Sequence, residues 1–198
     1  MKIALMIVGI IAAVFIVFQI YTTMSTSKSE TQAYKVIQIE KEFEIRHYPS
    51  ATMALVTSSL KSYRELGNTG FRKLAGYIFG GNKENKRIAM TSPVHMEISD
   101  TVSSMSFVMP TSYNKDNLPQ PNNSEIKIKV SEPEYVAALQ FGGFATTSRI
   151  EKHKAQLKKL LEDKGISYYG NFRYLGYNPP FQLFGRRNEV IVAIHYVN

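Results

Sequence analysis

The order strand, helix, strand, strand is written twice into this chain, and that duplication limits the fold more than any other feature. The first copy runs through Met53–Leu60, a helix opened by Ser62, then Arg87–Ile98 and Val102–Met109. The second runs through Tyr135–Ala145, a helix opened by Ser148, then Asn171–Tyr177 and Asn188–Val197. Both helices carry one start signal, Ser62 with Glu65 and Ser148 with Glu151. In such a capping box the serine oxygen takes a free amide of the first turn, and the glutamate reaches back to the cap's own amide. Two units of this kind predict an α+β domain: one strongly twisted antiparallel sheet with two helices packed against it.

Within the first copy, Leu66, Gly70, Phe71, Leu74, Tyr77 and Ile78 recur at three- and four-residue steps, so one helix face is apolar. Gly80-Gly81-Asn82 stops the helix, because glycine takes the left-handed C-terminal conformation without a Cβ clash. In the strand that follows, Ile88, Met90, Val94, Met96 and Ile98 alternate onto one face. Pro93 interrupts it; lacking an amide donor, proline puts this strand at an edge or at a bulge. An aromatic and aliphatic helix beside an irregular strand rich in methionine either holds a flat apolar ligand or is plain core. Met53, Met90, Met96, Met105 and Met109 all fall in strands, and the flexible thioether moulds to irregular apolar surfaces of either kind. The stretch Pro110–Glu125, dominated by prolines and asparagines, reads as a long loop: a lid over a groove, or a disordered hairpin tip. Ile126–Val130 is a half-buried strand.

The amino-terminal end is of another kind. Ile3 to Tyr21 contains no charge, and at about 1.5 Å per residue such a helix nearly crosses a hydrocarbon core of roughly 30 Å. A cleaved signal peptide has a shorter apolar region and a small-x-small site, whereas Tyr21-Thr22-Thr23-Met24-Ser25 follows here, so an uncleaved anchor is the expectation. The chain has no cysteine, which excludes lipoprotein acylation, disulfides and thiolate metal sites. Residues 1–22 are thus expected as a membrane anchor in contact with the lipid bilayer through residues 3–21. Residues 23–33 follow as a flexible polar linker, and 34–198 as the folded domain. Lys2 precedes the span, so the positive-inside tendency predicts a single-pass protein with its domain on the extracytoplasmic side.

A net charge of +8 suits anionic partners. The basic residues are spread over several segments with no nucleic-acid motif among them, so no nucleic acid is expected as a partner. No two histidines stand four residues apart on a helix, and no G-x-S-x-G elbow is present, so catalysis has no positive support and no catalytic residue is nominated. Of the four histidines, His47 shares a strand face with Phe43 and Ile45, where a neutral imidazole would be free to bind a metal ion; the plainer reading is a hydrogen-bonded structural residue. His95 is a weaker candidate on the face opposite Met90 and Met96, His153 is expected in solvent, and His195 is expected to be structural. Arg186-Arg187-Asn188-Glu189 is expected to fix its loop by hydrogen bonds and ion pairs.

Several separated motifs, in order, resemble the SOUL haem-binding protein family. They are Tyr34 with Phe43-Glu44-Ile45-Arg46-His47-Tyr48, and Phe71-x-x-Leu74-x-x-Tyr77-Ile78-x-Gly80-x-Asn82. Lys86-x-Ile88-x-Met90-Thr91-x-Pro93-Val94 follows, then Tyr177-x-Pro179-Pro180 with Arg186-Arg187-Asn188-Glu189-Val190. The resemblance covers about Tyr34 to Val197. It implies a bent sheet resembling a distorted barrel, and a haem or other tetrapyrrole held in an apolar groove near the first helix of the domain. By motif, the groove would be Phe71, Leu74, Tyr77, Ile78 and Met90, with Arg72 toward the propionates and His47 as the candidate iron ligand. The implied function is a membrane-tethered carrier, buffer or sensor of the tetrapyrrole. The alternatives are an enzyme acting on a tetrapyrrole or other small apolar molecule on the same scaffold, or a protein-interaction module.

Overall fold

Alternation and capping place the elements close to their expected positions in a computed structural model, which describes residues 1–196. After an amino-terminal helix α1 (Lys2–Lys28) come β1 (Lys35–Ile39), β2 (Glu44–Tyr48), β3 (Thr52–Ser58) and α2 (Tyr63–Ile78). Strands β4 (Val94–Glu97), β5 (Ser103–Val108), β6 (Lys127–Val130) and β7 (Glu134–Gly142) lead to α3 (Thr147–Asp163), β8 (Tyr168–Gly176) and β9 (Arg187–Ile194). The end of the last expected strand, at Val197, lies outside the described residues.

All nine strands form one antiparallel sheet, β1-β2-β7-β9-β8-β4-β5-β3-β6, and it is not closed. Its centre is the β4–β8 pair, with His95 opposite Leu175. On one side the order runs β4-β5-β3-β6, on the other β8-β9-β7-β2, so the two halves match strand for strand. The repeat therefore has five elements rather than the expected four. Each unit begins one strand earlier, at β2 and at β6, and that first strand pairs in the other unit: β2 with β7, β6 with β3. The sheet must curl to allow it. Tyr48 and Thr52 end strands on opposite flanks of the sheet, yet four residues span at most about 14 Å. Ala51 and Ser131 seal the seam, with the Ser131 amide on the Ala51 carbonyl at 2.9 Å.

Helix α2 packs on β3 and β5, and α3 on β7, β9 and β8. The main core lies between these helices and the sheet, from Leu66, Leu74 and Ile78 on one side to Ile150, Leu157 and Leu161 on the other. Each such side chain contributes roughly 1.5–3 kcal/mol by leaving water. A smaller cluster, Tyr48, Val136, Ala138, Leu175, Tyr177 and Ile191, occupies the opposite face. Ser62 caps α2 as expected, its oxygen accepting the Glu65 amide. Gly80, at φ +112°, ends that helix in a conformation that a Cβ would oppose. The second cap is Thr146 rather than Ser148, accepting from the Arg149 amide at 3.3 Å, so α3 begins earlier than its capping-box pattern indicates.

Two expectations change at the ends of the first copy. Regular pairing begins only at Val94, because proline at 93 cannot donate to a ladder; residues 87–92 make isolated bridges instead. The tether also differs. Helix α1 continues through Lys28, beyond the apolar run, and Glu30 and Gln32 are stitched to Ser92 by two backbone bonds of 2.8 Å. Among the residues of α1 only Gln19 and Thr22 are buried, so a helix apolar on all sides stands exposed, long and apolar enough to cross a membrane.

Candidate functional site

The expected groove residues separate into two groups. Phe71 and Met90 reach the surface, at 37% and 38% exposure, and Arg72 is exposed beside them in sequence. The Phe71 ring meets Phe107 of β5 edge-on at 5.3 Å, so it is braced from beneath while its outer edge faces solvent. Leu74, Tyr77 and Ile78 are fully buried and form no part of an accessible wall. They lie one step round the helix, on the face turned to the sheet. The Tyr77 hydroxyl donates to the Pro119 carbonyl at 2.7 Å, and burial, with Tyr113 and Glu84 nearby, pushes its pKa up to about 12.

Phe79 is the member the periodicity missed. It sits at the helix cap, 57% exposed, and the Arg87 guanidinium stands 6.0 Å from its ring centre. The signal was an aromatic beside the glycine stop, where helical spacing no longer predicts a face. The Ile88 amide donates to the Ile78 carbonyl at 2.8 Å, which turns the chain back along the helix end and carries Met90 with it. Helix α2 and the segment after it thus expose three large apolar side chains, and Arg72 and Arg87 are exposed in the same two segments. A flat apolar ring with carboxylates at its rim has the matching chemistry.

The long loop is neither a free lid nor a loose tip. Asn82, almost wholly buried, donates to the carbonyls of Tyr77 and Lys86 and accepts from the amides of Glu84 and Lys86. The turn so fixed receives the loop: the Lys83 amide donates to Gln120 and the Asn122 amide to Gly81. Leu118 is buried beneath it. A cleft of about 190 Å³ lies at the loop's start, between Glu30, Ala51, Thr91 and Tyr113. Ligand pockets usually measure about 300–1,000 Å³, so this one is small for a tetrapyrrole.

His47 does not join the flank. Its ring is tilted 53° against that of Tyr135 on β7, with centroids 4.9 Å apart, whereas Phe71 packs on Phe107 of β5. Pairing β2 with β7 across the units sends it to the half covered by α3. His95 is buried and bonded to the Gln32 side chain at 2.7 Å; burial, then Arg173, pushes its pKa down to about 3. His153, expected in solvent, lies flat against Phe141 at 4.0 Å with Nδ1 donating to the Arg149 carbonyl. His195 sits 4.6 Å from the Tyr169 ring. Among the described residues no group of three or more His, Asp or Glu is placed to hold a metal.

The motifs far apart in sequence meet on the sheet face away from the helices. Arg46 forks onto Glu189 at 2.8 and 3.1 Å, both buried. Arg187 approaches the same carboxylate at 2.6 Å and Tyr177 donates to it at 2.9 Å. Tyr34 lies over the Arg46 guanidinium at 4.3 Å. Burial pushes the Glu189 carboxyl up, but hydrogen bonds and charge from Arg46 and Arg187 outweigh it and hold the group below its ordinary value. Asn188 ties β9 to the Phe141 and Gly143 carbonyls, and Arg186 braces the Pro179 and Gln182 carbonyls. The cluster Arg186–Glu189 therefore fixes its loop, as expected. Its donors and acceptors are satisfied from within, apart from Arg186 Nε, so the network is built to hold strands together.

Comparison with known proteins is consistent with this arrangement. Residues 29–193 match the family model described as SOUL heme-binding protein. Heme-binding protein 1 of Xenopus laevis is 32% identical over 156 residues, covering 75% of this chain and 81% of the relative. Heme-binding protein 2 of Mus musculus is 30% identical, covering 75% and 76%. Among solved structures, the C-terminal domain of EcmrR superposes with a TM-score of 0.59 at 11% identity, over 83% of this chain and 99% of that one. A hydrolase from Listeria innocua gives 0.56 at 8%, over 80% and 94%. At such identities these two speak for the fold alone. On the family match and the curated relatives together, the chain belongs to the SOUL heme-binding protein family.

Proposed function

We propose that this protein binds haem or a related tetrapyrrole on the outer flank of α2, tethered to a membrane by α1, as a carrier, buffer or sensor. The observation that carries the reading is the family match across residues 29–193. The flank supports it with the chemistry a porphyrin needs. Phe71, Phe79 and Met90 offer an apolar contact, and Arg72 and Arg87 offer charge for the propionates. The ring lies against the surface rather than inside a closed pocket, and Leu74, Tyr77 and Ile78 shape the flank from beneath. Iron ligation by His47 is not part of the proposal, because that ring packs on Tyr135 of β7 while the flank rests on β3 and β5.

Hemin titration of the full chain in detergent micelles tests it. The expected result is one saturable Soret change. Phe71→Asp should weaken binding about tenfold or more, since covering a phenylalanine contributes roughly 1.5–3 kcal/mol. His47→Ala should leave spectrum and affinity unchanged. A titration that never saturates, or one indifferent to Phe71→Asp, removes the proposal.

A further inference from the structure

The segment Pro179–Arg186 carries a second apolar surface that the tetrapyrrole reading does not use. Phe181, Leu183 and Phe184 are 53%, 40% and 67% exposed, which is costly for three large side chains in one short loop. The loop is nonetheless firmly built. Gln182 is buried, its amide donating to the Phe184 carbonyl and its oxygen accepting from Thr26 of α1. Arg186 donates to the carbonyls of Pro179 and Gln182. The backbone is braced, and the apolar side chains are what it presents.

What they face is the outer end of α1. Gln19, a polar residue inside the apolar run, is taken up completely by the loop: its amide donates to the Phe181 carbonyl at 3.1 Å, and its oxygen accepts the Leu183 amide at 3.0 Å. The Phe18 and Phe181 rings lie 5.9 Å apart. Phe184 closes one side of a depression of about 400 Å³ whose other walls, all from α1, are Phe15, Ile16, Ile20 and Met24 with Gln19 and Thr23. Beyond the isolated Gln19, the polar C-terminal part of the helix begins at Thr22. At about 1.5 Å per residue, Ile16 and Phe15 lie roughly 9 and 10.5 Å below that level. A loop reaching them extends past the plane where the span leaves the hydrocarbon, to the depth of about 5–10 Å typical of interfacial insertion. Water is scarce there, and the two Gln19 bonds satisfy loop groups and helix amide together.

We infer that Phe181, Leu183 and Phe184 insert into the bilayer leaflet at the C-terminal end of α1, with acyl chains filling the depression beside Phe184. The occupant is lipid because the loop surface is continuous with a helix exposed along its whole apolar length. The inference rests on reading α1 as a membrane span, and its test separates the two.

The chain has no tryptophan, so a single introduced indole reports its own surroundings. Phe184→Trp and Phe15→Trp are made separately in the full chain and reconstituted into phosphatidylcholine vesicles, plain or brominated at a shallow or a deep acyl position. Phe15→Trp reports the span and Phe184→Trp the loop. The expected result is a blue-shifted, bromine-quenched emission from both, with Phe184→Trp quenched more by the shallow bromine than by the deep one. Quenching at Phe15→Trp with water-like, unquenched emission at Phe184→Trp overturns the insertion and leaves the span. No quenching at Phe15→Trp overturns the span and the insertion with it.

Discussion

Arg46 and Glu189 lie 143 positions apart in the chain and share two hydrogen bonds in a buried setting. Removing one partner from such a pair leaves an uncompensated charge and costs about 3–5 kcal/mol. Because Arg187 stays on Glu189, Arg46→Met should fall near the low end, about 3 kcal/mol by denaturant unfolding, while the hemin affinity of the folded fraction is unchanged. His95 sets a pH dependence. Free in the unfolded chain it titrates at about 6.5; in the fold it stays neutral until about pH 3. Between those values the unfolded state holds more protons. Stability from this group is therefore complete above pH 6.5 and declines as pH falls through the window, by roughly 1.4 kcal/mol per unit. Thermal unfolding from pH 7 to 4 should show the decline, and His95→Gln should flatten it. The identity of these residues was readable in the sequence, but their surroundings were not. His153 rides among lysines in sequence, and only the packing of α3 on β7 brings it against Phe141.

At the level of elements, helices with local stop and start signals were legible and long-range ties were not. Ser62 and Gly80 act through neighbours within one turn, so the limits of α2 could be read directly. The strap of residues 110–125 depends on Asn82, about forty positions earlier, whose four side-chain bonds shape the turn it docks on. Nothing in a proline- and asparagine-rich run announces that partner. Asn82→Ala leaves several of these groups unpaired, at about 1–3 kcal/mol. It should also free the strap, so that trypsin cuts at exposed Lys115 in the variant well before the wild type is cut. The segment after the apolar run shows the same dependence on distant partners. Polar composition marks a segment as soluble, yet Thr22 and Thr26 bond back to helix carbonyls and Glu30 accepts the Thr111 amide, so the segment is held.

For the molecule as a whole, the duplicated order fixed the class of fold, and exchange of the leading strands fixed how the halves depend on each other. The four-element repeat omitted β2 and β6 because a strand's partner is not encoded in its own alternation. With each unit's outer strand supplied by the other, a cut ahead of β6 should separate both pairs, so residues 33–124 and 125–198 should each fail to fold alone. Mixed or co-expressed, they should recover the circular dichroism and single unfolding transition of the intact domain. Exposed side chains were less legible than the sheet, since the helix face that periodicity marks is the buried one, holding Leu74, Tyr77 and Ile78.

The open rim at β6 has a last consequence. Its free backbone groups are a template on which another copy of the chain would extend the sheet. Lys127 and Lys129 stand exposed along that rim, two ammonium groups in a strand of four residues. Docking a second strand there would crowd like charges and strip their hydration, so these lysines act as gatekeepers against fibrillar growth.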